Sequence, residues 1–90
     1  MAWTIDYSET AGKQLAKLDK KTAKDILGYM EGRVAILDNP RDIGKALKGK
    51  LGEFCRYRLG NYRIIADIQD AKILILVVQI GNRKDVYRQR

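Results

Sequence analysis

Ninety residues make one domain, and 18 Lys and Arg against 11 Asp and Glu leave a net charge of +7 with no histidine. That composition excludes a Ser-His-Asp triad and a histidine-pair ribonuclease; the single cysteine, Cys55, excludes an internal disulfide and an ordinary structural zinc site. The excess charge is unevenly placed, with residues 1–40 neutral, 41–63 at +5 and 64–90 at +2, so the second half of the chain is the part that attracts polyanions.

Trp3, Ile5 and Tyr7 alternate with Ala2, Thr4 and Asp6, which predicts a short strand. The first residues lack the basic and apolar regions of a secretory leader, and the lone thiol suits a reducing cytosol, so a cytoplasmic protein is expected. Ser8 is placed to cap a helix carrying Ala11, Leu15 and Leu18 on one face. Asp19 is placed to cap a second, longer one whose stripe runs Ala23, Ile26, Leu27, Met30, Val34 and Leu37, until Asn39-Pro40 stops it. Residues 41–53 are rich in Gly and Lys and read as a loop with one turn around Ile43–Leu47. The period then changes to two: Cys55, Tyr57 and Leu59 point to the core, and Phe54, Arg56 and Arg58 point away from it. Gly60-Asn61 marks a hairpin into a strand over 62–68. Gln69-Asp70 is a turn, and Ile73–Ile80 is a third strand of this run, apolar on both faces as a central strand would be. Asp85–Arg90 is expected to form a terminal turn or a short frayed helix. The expected fold is α+β, in the order β-α-α-β-β-β, with the N-terminal helical hairpin packed on one face of a mostly antiparallel four-stranded sheet and a short C-terminal segment after it. The other face is expected to be concave and basic, and no apolar run is long enough to span a bilayer.

Arg56 and Arg58 share a strand face, and Arg63 lies just past the hairpin, within reach of either across the strands. Guanidiniums this close repel unless an anion sits between them, so the pattern points to a phosphate site. Three independent surface arginines are the plainer alternative. Arg83 and Tyr87 lie four apart and can share one side of a terminal turn. A tyrosine among guanidiniums has its phenolate stabilised in the direction a general base needs, whereas a packing tyrosine would anchor the C-terminus. The scattered acids Asp67, Asp70 and Asp85 do not make a two-metal centre, so neither a metal nor a cofactor is expected. Cleaving RNA requires neither, because the 2′-hydroxyl is an internal nucleophile that must only be aligned and its phosphate neutralised.

The segments Leu47-Lys48-Gly49, Phe54-Cys55-Arg56-Tyr57-Arg58, Gly60-Asn61-Tyr62-Arg63-Ile64 and Ile80-Gly81-Asn82-Arg83-Lys84-Asp85-Val86-Tyr87, in this order and spacing, resemble the RelE branch of the RelE/ParE toxin superfamily. The resemblance spans the whole chain. It implies a toxin of a type II toxin–antitoxin system that cuts mRNA in the ribosomal A site through the 2′-OH, opposed by a RelB-like antitoxin. By motif, Arg56 and Arg58 fall at the family's paired basic strand residues, Arg63 at its phosphate-binding arginine, Arg83 at its leaving-group arginine and Tyr87 at its C-terminal tyrosine. Where the family admits lysines at the paired positions, this chain has arginines, which do not deprotonate near neutral pH. Lys13, Lys17, Lys20, Lys21 and Lys24 on the helices, with Lys48, Lys50, Phe54 and Lys84, are the expected further RNA contacts, the helix lysines being equally readable as a solvated face. The alternatives within reach are a ParE-like inhibitor of DNA gyrase on the same fold and an RNA-binding module without activity.

Overall fold

The computed structural model describes residues 2–47 and 54–82. Its elements are β1 (Thr4–Tyr7), α1 (Glu9–Lys17), α2 (Lys20–Tyr29), a π-helical turn (Met30–Val34), a 3-10 turn (Pro40–Ile43), β2 (Lys45–Ala46), β3 (Phe54–Leu59), β4 (Tyr62–Gln69), a second 3-10 turn (Asp70–Lys72) and β5 (Leu74–Asn82). The terminal turn expected over 85–90 lies outside the described residues.

Both helices start where capping chemistry says they should. The Ser8 side chain accepts the Ala11 N–H at 3.1 Å, and that of Asp19 accepts the Thr22 N–H at 3.1 Å. The two Thr22 bonds hold the Asp19 carboxyl below its usual range. α2 does not run on as one regular helix: after Tyr29 the chain widens into the π turn, keeping Met30 and Val34 buried on the same side.

The strands make one sheet in the order β1-β5-β4-β3-β2, in which β1 runs parallel to β5 and the other neighbours are antiparallel. Ala11, Ile26, Met30 and Val34 from the helical layer bury one sheet face. They meet Cys55, Tyr57, Ile64, Ala66, Ile68, Ile75, Val77 and Ile80. That is the α+β layering expected. The strand count differs from expectation, because the described residues form five strands where the sequence predicted four.

The additional strand, β2, lies in the stretch read as a loop. Its cause is close packing rather than propensity. A Cβ on Gly44 would collide with Cys55 Sγ and stand 2.8 Å from Tyr57 Cε1, so only glycine lets the chain pass this near β3. Tyr57 donates its hydroxyl to the Pro40 carbonyl at 2.7 Å, and the Leu47 N–H donates to the Phe54 carbonyl at 3.0 Å. These contacts clamp Lys45 and Ala46 against Arg56 and Cys55. Cys55 is the small buried hydrophobe that the sequence suggested, its thiol filling the space Gly44 leaves.

A β-bulge sits in β5. Ile65 pairs with Gln79 but Ala66 pairs with Val77, which leaves Val78 as the extra residue. α1 supplies the hydrogen bonds around it: Ser8 Oγ donates to the Val78 carbonyl at 3.2 Å, and Gln14 Oε1 accepts the Ile80 N–H at 2.6 Å.

Ile73, just before β5, adopts φ 49 and ψ 48. A β-branched residue in this left-handed region stores roughly 1–2 kcal/mol. Its side chain is 38% exposed, so little burial is at stake. Ile73→Asn is expected to raise stability by about 1 kcal/mol, seen as a melting temperature higher by roughly 4–8 °C. A lower melting temperature would mean that the side chain's contacts outweigh the strain. Among the described residues, no helix is long and apolar enough to cross a membrane.

Candidate nucleic-acid interface

Directly paired strand residues share a sheet face, so the register assigns the face turned away from the helices. Its rows run across the strands. One row is Arg58, Arg63 and Gly81. The next is Lys45, Arg56, Ile65 and Gln79. The third is Phe54, Asp67, Leu76 and Asp6. Cations therefore fill the two rows nearest the Gly60-Asn61 turn, and acids occupy the third.

Arg58 and Arg63 are direct partners, which places their Cα atoms about 4.5–5.5 Å apart. The sequence left open whether Arg63 meets Arg56 or Arg58; the register pairs it with Arg58 and sets Arg56 one row away. Arg63 is only 7% exposed. Its Nη1 donates to the carbonyls of Gly60 at 3.2 Å and Tyr62 at 3.1 Å, so the tight turn holds the guanidinium. Gly60 permits that turn with φ +61, where a Cβ would be strained. The Arg63 Nε has no hydrogen-bond partner among the described residues, and none of the described ion pairs involves it. A guanidinium this buried without a carboxylate is costly unless an anion occupies the site. Arg58 beside it is exposed.

The remaining expected contacts divide. Phe54 lies on the same face, in the row after Arg56, with its ring half-buried. The helix lysines belong to the other layer. Lys13 pairs with Glu9 at 3.3 Å and Lys21 with Asp25 at 3.4 Å, exposed pairs worth little. Lys17 lines a cleft with Gln14, Leu18, Tyr62, Ile80, Gly81 and Asn82 at the hairpin end of the sheet. Lys20 and Lys24 are exposed. Lys48, Lys50, Arg83, Lys84 and Tyr87 lie outside the described residues. No group of three or more His, Cys, Asp or Glu side chains among the described residues could hold a metal ion. The cation that sequence reasoning missed is Lys45, because a two-residue strand gives too short a run for alternation to register.

A family model described as the ParE toxin of type II toxin–antitoxin systems matches residues 5–87. The chain belongs to this family of toxins and is a RelE-like toxin of the RelE/ParE superfamily. It is similar to the toxin RelE of Mycobacterium tuberculosis, 30% identical over 93% of this chain and 84% of the relative. It is also similar to the mRNA interferase toxin RelE of Escherichia coli K12, 26% identical over 99% of this chain and 94% of the relative. The fold is that of the toxin in the RelBE2 toxin–antitoxin complex of Mycobacterium tuberculosis, with TM-score 0.84, 23% identity, and 92% and 93% of the two chains covered.

Proposed function

We propose that this toxin is a metal-independent endoribonuclease that cuts mRNA on the ribosome. The observation that carries the reading is Arg63, buried, without a counter-ion among the described residues, and directly opposite Arg58. This pair suits the scissile phosphate. The 2′-hydroxyl oxygen attacks phosphorus as its proton passes to Tyr87, a ribosomal group or water; the P–O5′ bond breaks to leave a 2′,3′-cyclic phosphate, the 5′-oxygen takes up a proton, and the guanidiniums neutralise the charge that grows on the phosphoryl oxygens. Arg83, the residue after Asn82, would stabilise the leaving oxygen and Tyr87 would assist proton transfer, as the family resemblance assigns. Arg56 and Arg58 stay protonated and cannot serve as base. In-line alignment must then come from a larger scaffold, which is what the 70S ribosome with its rRNA supplies. That an Escherichia coli relative is an mRNA interferase supports the same reading.

The expected partner is a RelB-like antitoxin, cytoplasmic like the toxin, with an acidic segment that covers the basic rows. The toxin–antitoxin complex whose toxin shares this fold supports such a partner.

Three parallel incubations test the function: programmed 70S ribosomes, free mRNA, and DNA gyrase with plasmid. Cleavage is expected on ribosomes, with free mRNA barely cut and supercoiling unaffected. Efficient cutting of naked RNA would remove the ribosome from the reading, and inhibited supercoiling would favour the ParE-like alternative. Arg83→Ala and Tyr87→Phe in the same assay test the two roles that rest on the resemblance alone.

A further inference from the structure

The second cationic row is unlike the first. Lys45 stands directly across from Arg56 at the sheet edge, exposed, with no ion-pair partner among the described residues. Its backbone is pinned by the Gly44 packing against Cys55 and Tyr57, and by the Leu47–Phe54 hydrogen bond. The ammonium is therefore presented from a fixed base rather than from a loop. Along the strands this row lies two residues, about 7 Å, from the Arg58–Arg63 row. The Lys45–Arg56 pair is also one strand nearer the edge, about 4.8 Å across, so the two pairs stand roughly 8 Å apart, a separation that long Lys and Arg side chains can adjust to neighbouring phosphates of one strand. The third row bears Asp67 and Asp6, so the anion track ends after two rows.

We propose that Lys45, together with Arg56, forms a second phosphate subsite that grips the backbone phosphate next to the scissile one. This rests on the nuclease reading above and adds a positioning residue to it. Lys45 does not act on the reacting bond. It fixes where along the strand that bond falls. A point-like ammonium at an exposed edge suits a phosphate approaching at varied angles, whereas the buried fork of Arg63 suits a phosphate held in one geometry.

The test couples a protein change to a substrate change. After the cut site is mapped, mRNAs are made with one uncharged methylphosphonate linkage immediately 5′ or 3′ of it. Each is cleaved on programmed ribosomes under single-turnover conditions by wild type, Lys45→Ala and Lys45→Arg. On ordinary mRNA Lys45→Ala is expected to be roughly tenfold slower, the scale of one lost charged contact. Lys45→Arg should retain most of the rate. At one of the two positions the neutral linkage should slow wild type by about the same factor and leave Lys45→Ala no slower than it already is. Because Lys45 is exposed, unchanged melting temperatures verify that both variants fold. Equal slowing of wild type and Lys45→Ala by both linkages, or full activity of Lys45→Ala, overturns the subsite. A wild type that leaves ribosome-bound mRNA intact overturns the nuclease reading and the subsite together, whereas active wild type without coupling overturns the subsite alone.

Discussion

Arg63→Ala should slow single-turnover cleavage of ribosome-bound mRNA by about 10²–10³, the cost of roughly 3–4 kcal/mol that follows loss of one preorganised donor. The protein should nevertheless melt no lower than wild type. Arg63 is 7% exposed with Nε unpartnered among the described residues, so removing it relieves a buried charge and breaks none of the described ion pairs. Loss of rate without loss of stability is the signature of a ligand-facing charge, and a structural arginine would show the reverse. Arg63→Lys should not restore the rate, because a lysine cannot reproduce the two-carbonyl hold of Nη1 and still present a planar fork. Arg58→Ala should be non-additive with Arg63→Ala, as they face each other across the strands. Near-normal cleavage by Arg63→Ala would refute the phosphate site.

Tyr57→Ala should be the most damaging change to the fold, lowering stability by about 3–5 kcal/mol. The ring is fully buried and meets Tyr29 edge-on, with centroids 6.4 Å apart and planes at 65°. Its hydroxyl also holds the Pro40 carbonyl at 2.7 Å and so closes the turn leading into β2. Stabilities of domains this size are about 5–13 kcal/mol, so the loss leaves a chain near its folding threshold. Tyr57→Phe removes the hydroxyl alone and should cost about 1–2 kcal/mol. Urea unfolding separates the two, and similar losses for both would locate the ring's contribution in its hydrogen bond. Burial, reinforced by neighbouring Cys55, pushes the Tyr57 hydroxyl above its ordinary pKa of 10.0. Its contribution is therefore complete below pH 10 and declines above it, once the unfolded chain ionises and the folded one resists.

The elements set by local chemistry were legible in the sequence. Ser8 and Asp19 cap their helices, Gly60-Asn61 turns the hairpin, and Cys55, Tyr57 and Leu59 alternate against Phe54, Arg56 and Arg58 as observed. What long-range packing decides was not legible. β2 exists because Gly44 can approach Cys55 and Tyr57, and nothing within Gly44–Ala46 announces it. The pairing of Arg63 with Arg58 needed the register. So did Lys45, whose place across from Arg56 has no signature in its own neighbours. Distances along the chain also concealed the clamp of Arg41 on Asp70, 3.1 and 2.7 Å between residues 29 apart. It ties the first 3-10 turn to the second and holds the Asp70 carboxyl below its usual range.

The extra residue in β5 works as a phase switch. Ahead of it the odd-numbered Ile75 and Val77 face the helices; beyond it the even-numbered Ile80 does. This is why the strand reads as apolar on both faces although one face carries cations next door. Let Val78 pair with Ile65 in place of Gln79 and the frame slips: Ile80 would be thrust out beside Arg63, and Gln79 and Gly81 would turn inward against Ile64 and Tyr62. Ser8 and Gln14 at the start of the helical layer hold the switch in place. The chemistry on one side of the sheet is thus indexed by two polar side chains on the other.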